Sequence, residues 1–152
     1  MQLGSYQQWQ RYFGALRRGE AAEKPEILPL RLSEASERAF RAELEETVSA
    51  LLTRAGGRFS RALRETSEYG ALEEIPLLAR RYRREVRSVF FIRDLSFLGA
   101  AYRQELEQNV RRELDRSWKT FLRDLRRQAE QTPSPGLEEL ITALQGFRLL
   151  DE

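Results

Sequence analysis

Five arginines crowd one stretch, Pro76 to Phe91, which reads PLLARRYRREVRSVFF. A guanidinium carries a permanent charge and a planar fork of donors that fits a carboxylate or a phosphate. The chemistry on offer is therefore recognition of anions rather than the making and breaking of bonds. On a helix, Arg80, Arg84 and Arg87 fall at i, i+4 and i+7, and Phe91 extends the row. Leu78, Tyr82, Val86, Val89 and Phe90 form the opposite, apolar face.

On a solvated helix face, arginines usually have acids three or four residues away. Arg81 has Glu85 at i+4, whereas Arg80, Arg83, Arg84 and Arg87 have no acid at any such offset. Like charges at i and i+4 repel by a few tenths of a kcal/mol per pair. Compensation then has to come from elsewhere. Three sources are open: the acids Glu34, Glu37, Glu43, Glu45 and Glu46 of this chain, an acidic patch on a protein partner, or nucleic-acid phosphate. Phe91 beside the arginines suits a protein interface and base stacking alike.

A second basic row, Arg112, Arg116, Lys119, Arg123 and Arg126, differs in having interleaved acids. Asp115 serves Arg112 and Lys119, Glu113 serves Arg116, and Glu130 serves Arg126. This row reads as a salt-bridged outer face and as a secondary candidate. Trp9, Tyr12 and Phe13 crowd a short segment and are candidates for docking, on the body of the protein or on a partner.

Catalytic chemistry finds little to work with. Histidine and cysteine are absent, which removes the usual general base, thiolate nucleophiles and zinc-thiolate sites. Glu45-Glu46 and Glu73-Glu74 are adjacent pairs, so on a helix their side chains diverge. No metal and no cofactor is expected. Gly56-Gly57 lacks the spacing of a phosphate loop, and no family-specific motif is present.

The elements that must position these residues are helical. The expected fold is all-α, a bundle of three or four long amphipathic helices with short terminal helices. Its 152 residues suggest a single domain, 1–152. A first helix at 5–18 carries Tyr6, Trp9, Phe13 and Leu16 as its stripe, and Gly19 ends it. A linker, 19–32, holds Pro25 and Pro29, with Ile27, Leu28, Leu30 and Leu32 expected to lie against the body. The helical body spans 33–132. Ser33 or Ser36 opens a helix that runs to about Ser67 across Gly56-Gly57, with a bend. A third helix begins near Pro76. An unbroken rod from there to Gln131 would be about 84 Å long, so a bend or break near Arg93–Ser96 is expected, with a short strand at Val89–Ile92 as the alternative. The apolar period then resumes from Phe97 to Ala129. A last helix spans 137–145.

The net charge is only +2 although 33% of residues are charged, so the placement of charge matters more than its sum. Residues 80–132 hold 14 basic and 8 acidic groups, which predicts a basic middle. Scarce Asn, Cys and Met fits a thermophile, and a GC-rich genome gives the same arginine bias. Met1–Gln10 has no signal-peptide core and no apolar run could span a bilayer, so a cytoplasmic protein is expected. The functional expectation is a non-enzymatic helical protein-interaction module, a subunit of a larger assembly or a homodimer. The alternative is a nucleic-acid-associated helical subunit that tracks phosphates without reading sequence.

Overall fold

A serine cap starts the longest helix. In the computed structural model, which describes residues 3–21, 23–25, 32–68, 72–131 and 136–149, Ser33 Oγ accepts from the Ser36 amide at 3.2 Å. Helix α2 follows from Glu34 to Glu68, with Glu34 and Glu37 against the positive end of its dipole. Before it, α1 runs from Leu3 to Arg18. Gly19, at φ +75°, lets the Glu20 amide reach back to the Ala15 carbonyl at 2.9 Å. That i+5 closure needs a left-handed residue, and glycine takes it without a Cβ clash.

Helix α3 spans Ile75–Arg87 with Pro76 in its first turn, where a missing N–H costs nothing. The rod breaks at Arg87, ahead of the expected Arg93–Ser96. Ser88–Asp94 and Ser96–Leu98 are 3-10 turns, and Gly99 at φ +79° precedes α4, Ala100–Gln131. The strand alternative at Val89–Ile92 is overturned. The cause is a period of three: Val89, Ile92, Leu95 and Leu98 are all buried. At three residues per turn these side chains eclipse on one face. At 3.6 per turn they would spread around the helix. Gly136, at φ +84°, leads into α5, Leu137–Gln145.

Five α-helices and no strand occur among the described residues, so the fold is all-α. Among the described residues α2 and α4 are the longest helices, at 35 and 32 residues. No described helix is long and apolar enough to cross a membrane. The expected linker contacts of Ile27, Leu28 and Leu30 lie outside the described residues.

The chain groups into two compact units: Met1–Thr53 with Val89–Gln108, and Arg54–Ser88 with Asn109–Glu152. The first is organised by rings. Phe40 lies 5.3 Å from Phe13 and 5.4 Å from Phe97, both edge-on. Trp9 packs on Phe13 and Phe91. The second unit is centred on Phe59, which stacks on Tyr82 at 4.8 Å and on Trp118 at 5.6 Å and meets Phe121 edge-on at 5.0 Å. Trp118 also donates its indole N–H to the Leu144 carbonyl at 3.1 Å, tying the last turn of α5 to α4.

Helix α2 passes through Gly56-Gly57 without interruption, because Ala55, Phe59 and Leu63 keep one buried face on either side. The pair is not needed for close approach. A Cβ at Gly56 would sit 3.8 Å from Phe121 Cζ, an ordinary contact, and one at Gly57 would meet nothing within 4 Å. Gly57→Ala is therefore expected to stabilise the protein by about 0.5–1 kcal/mol, read as a higher denaturation midpoint with an unchanged slope.

Candidate interaction face

The thirteen residues of α3 divide by helical position. Ile75, Ala79, Tyr82 and Val86 are buried and hold the helix in the second unit. Leu78, Arg81, Tyr82 and Glu85 line a groove of about 140 Å³ against Ala55, Arg58, Phe59 and Ala62 of α2. The remaining outer side carries Leu77, Arg80, Arg84 and Arg87, all exposed. Leu77 is 57% exposed and is the one large hydrophobic side chain open to this degree among the described residues.

The arginines on α3 take different situations. Arg80 and Arg84 have no carboxylate within 4.0 Å among the described residues, which keeps their i, i+4 repulsion uncompensated. Arg81 does not hold Glu85. That carboxylate instead pairs with Arg58 of α2 at 3.5 Å. Arg83 is half-buried, its guanidinium 5.0 Å from the ring centre of Phe147. Arg83 therefore serves packing of the C-terminal segment, a cation–π contact, and is not on the outer row. Arg87 is exposed at the C-terminal end of α3, where a cation suits the helix dipole.

Phe91 departs from its expected place. The α-helix ends at Arg87, so Phe91 no longer extends the arginine row. It is 9% exposed and packs on Trp9 at 6.3 Å with 18° between the rings, and on Tyr12 edge-on at 6.0 Å. The apolar companion of the arginines is Leu77, at i−3 from Arg80 and i−7 from Arg84, which the sequence reading missed. A signal was there: Leu77 lies on the same helical side as the row while Leu78 lies on the other. Of the docking aromatics, Trp9 and Phe13 turn inward and Tyr12 stays partly open, because α1 docks on its own unit through them.

Among the acids considered as internal partners, none pairs with an arginine of α3 among the described residues. Glu37 meets Arg41 at 3.6 Å on its own helix. Arg41 also lies 4.1 Å over the Tyr102 ring. Burial raises the Tyr102 phenol, and the Glu45 carboxylate adds to it. The second basic row, Arg112, Arg116, Lys119, Arg123 and Arg126, is exposed along α4. Its expected i+4 pair, Lys119 with Asp115 at 3.0 Å, is present but open to water, so it contributes little. No group of three or more acidic side chains that could hold a metal occurs among the described residues.

Charge follows the units. The second holds 17 basic and 13 acidic residues, and the first 9 and 11. Within the second unit, burial pushes the Tyr82 phenol from 10.0 up to about 12, with Glu113 and Glu85 adding to the rise. The folded chain thus holds this proton more tightly than the unfolded chain. As pH rises past the ordinary tyrosine value, the unfolded chain loses its proton first and stability falls until the folded phenol also ionises. Urea midpoints are expected to drop between pH 10.0 and about 12, and Tyr82→Phe should flatten part of that slope. Tyr102, Tyr6 and Tyr12, also raised by burial, keep the remainder.

No family model, curated protein or solved structure matches this chain. The functional reading therefore stands on the residues alone.

Proposed function

We propose that this chain, a bundle of amphipathic helices, is a non-enzymatic cytoplasmic protein-interaction module that binds an acidic protein surface through the outer face of α3. The observation that carries this is Leu77. A large apolar side chain stands 57% exposed beside Arg80 and Arg84, which have no carboxylate within 4.0 Å among the described residues. An apolar anchor rimmed by charges is the composition of a protein contact. Phosphate recognition needs the charges and not the anchor. The secondary row on α4 extends the positive field and would speed encounter with an acidic partner.

The alternative, a helical nucleic-acid-associated subunit, draws support from the basic excess of the second unit and the two exposed rows on α3 and α4. It loses the aromatic that would have stacked on bases, since Phe91 is buried. Fluorescence anisotropy separates the two readings. The probes are a synthetic acidic peptide with Glu and Leu at helical spacing and a generic DNA duplex, each at low and high salt. The protein reading expects peptide binding that weakens with Arg80→Glu/Arg84→Glu and with Leu77→Ser. The nucleic-acid reading expects duplex binding that falls steeply with salt, weakens with the arginine changes and ignores Leu77→Ser. Binding of neither probe would sink both.

A further inference from the structure

We infer that the occupant of the α3 face is a second copy of this chain, docked by the outer face of the first half of α2. The inference rests on the protein-contact reading above and supplies its partner. One chain carries both halves of an unmade set of ion pairs. Arg80 and Arg84 are exposed without a carboxylate within 4.0 Å, and Glu45 and Glu46 are exposed without a cation within 4.0 Å, among the described residues. The two sets belong to units of opposite net charge, an excess of four bases against an excess of two acids.

The shapes agree with the charges. Between Glu45 and Glu46 on the outer side of α2 lie short exposed residues, Ala42 and Ser49. Long arginine stems and Leu77 can lie flat on such a surface and still bring their charged ends to the carboxylates at its edges. Arg80 and Arg84 are one helical turn apart, about 6 Å along the axis. Arg38 is exposed nearer the start of α2, so the contact centres on Ala42–Ser49. A contact of α3 with its own copy is disfavoured, because it would set arginine against arginine.

The test is sedimentation velocity on the full chain over a range of concentrations at low and high salt. The wild type is expected to associate reversibly, and less so at high salt. Arg80→Glu/Arg84→Glu should raise the dissociation constant by about tenfold or more, and Glu45→Gln/Glu46→Arg should do the same. Mixed in equal amounts, the two variants should associate with each other, because each supplies the face the other lacks. Far-UV circular dichroism and thermal midpoints check that both variants fold. A wild type that stays monomeric at both salts, or a mixture that does not associate, overturns the inference. A monomer that still binds the acidic peptide through Arg80 and Arg84 would remove self-docking and leave the protein-contact reading standing. A monomer that binds neither peptide nor itself removes both.

Discussion

Phe59→Ala is expected to cost about 3–5 kcal/mol of stability and to lower the melting temperature by roughly 10 °C. Phe59 is 4% exposed and stands at the centre of the second unit. It stacks nearly parallel to Tyr82 and to Trp118, both at 9°, and meets Phe121 edge-on. Truncation removes the transfer free energy of a benzyl group and leaves a void between three rings that cannot all move in to fill it. Tyr82 is held from α3 and Trp118 from α4, where its indole is tied to the Leu144 carbonyl. Loss of the ring should also loosen the seat of α3 and so weaken any contact made by Leu77, Arg80 and Arg84. Urea denaturation checks the size. A loss below about 1 kcal/mol would show that the void collapses and that the stack is not what holds the unit.

The second large effect is a contrast at Trp9. This residue is 0% exposed and joins α1 to its unit through Phe40 and Phe91. Trp9→Ala is expected to cost about 3–5 kcal/mol and to raise amide exchange along α1. Trp9→Phe is expected to cost less than about 1 kcal/mol. The reason lies in the indole nitrogen, which is buried without a hydrogen-bond acceptor among the described residues. An unpaired buried donor costs about 1–3 kcal/mol. Removing it offsets the weaker packing of the smaller ring. If Trp9→Phe proves as damaging as Trp9→Ala, packing of the second ring outweighs the orphaned donor. The chain has two tryptophans, one in each unit. Trp9→Phe therefore also leaves Trp118 as a fluorescent reporter of the second unit.

Much of the local structure was legible in residue types. The helix expected from Ser33 or Ser36 to about Ser67 and the apolar period from Phe97 to Ala129 identified α2 and α4, Ser33 marked a cap, Gly19 marked a stop, and Pro76 marked a first turn. Each signal acts within a few residues, through a hydrogen-bond offset or a backbone angle, so no tertiary information is needed to read it. A bend or break was expected from length near Arg93–Ser96; the α-helix ends earlier, at Arg87, where the three-residue period of Val89, Ile92, Leu95 and Leu98 begins. That period matches neither the α-helical 3.6 nor the strand period of 2, so neither pattern reveals it.

The candidate site was half legible. Sequence alone identified Arg80 and Arg84 as arginines without local acids, because i±3 and i±4 neighbours follow from helix geometry. It also excluded histidine- and cysteine-based chemistry outright. Tertiary structure decided the rest. Phe91 leaves the arginine row because a change of helix type rotates it toward α1, and burying its ring against Trp9 outweighs exposure beside charges. Arg83 leaves the row because Phe147 folds back beneath it, and Glu85 turns to Arg58 on another helix. Contacts between residues far apart in the chain have no local signature. Which apolar side chain stands open beside the arginines, Leu77 rather than Phe91, was decided only by which side chains the packed helices left uncovered.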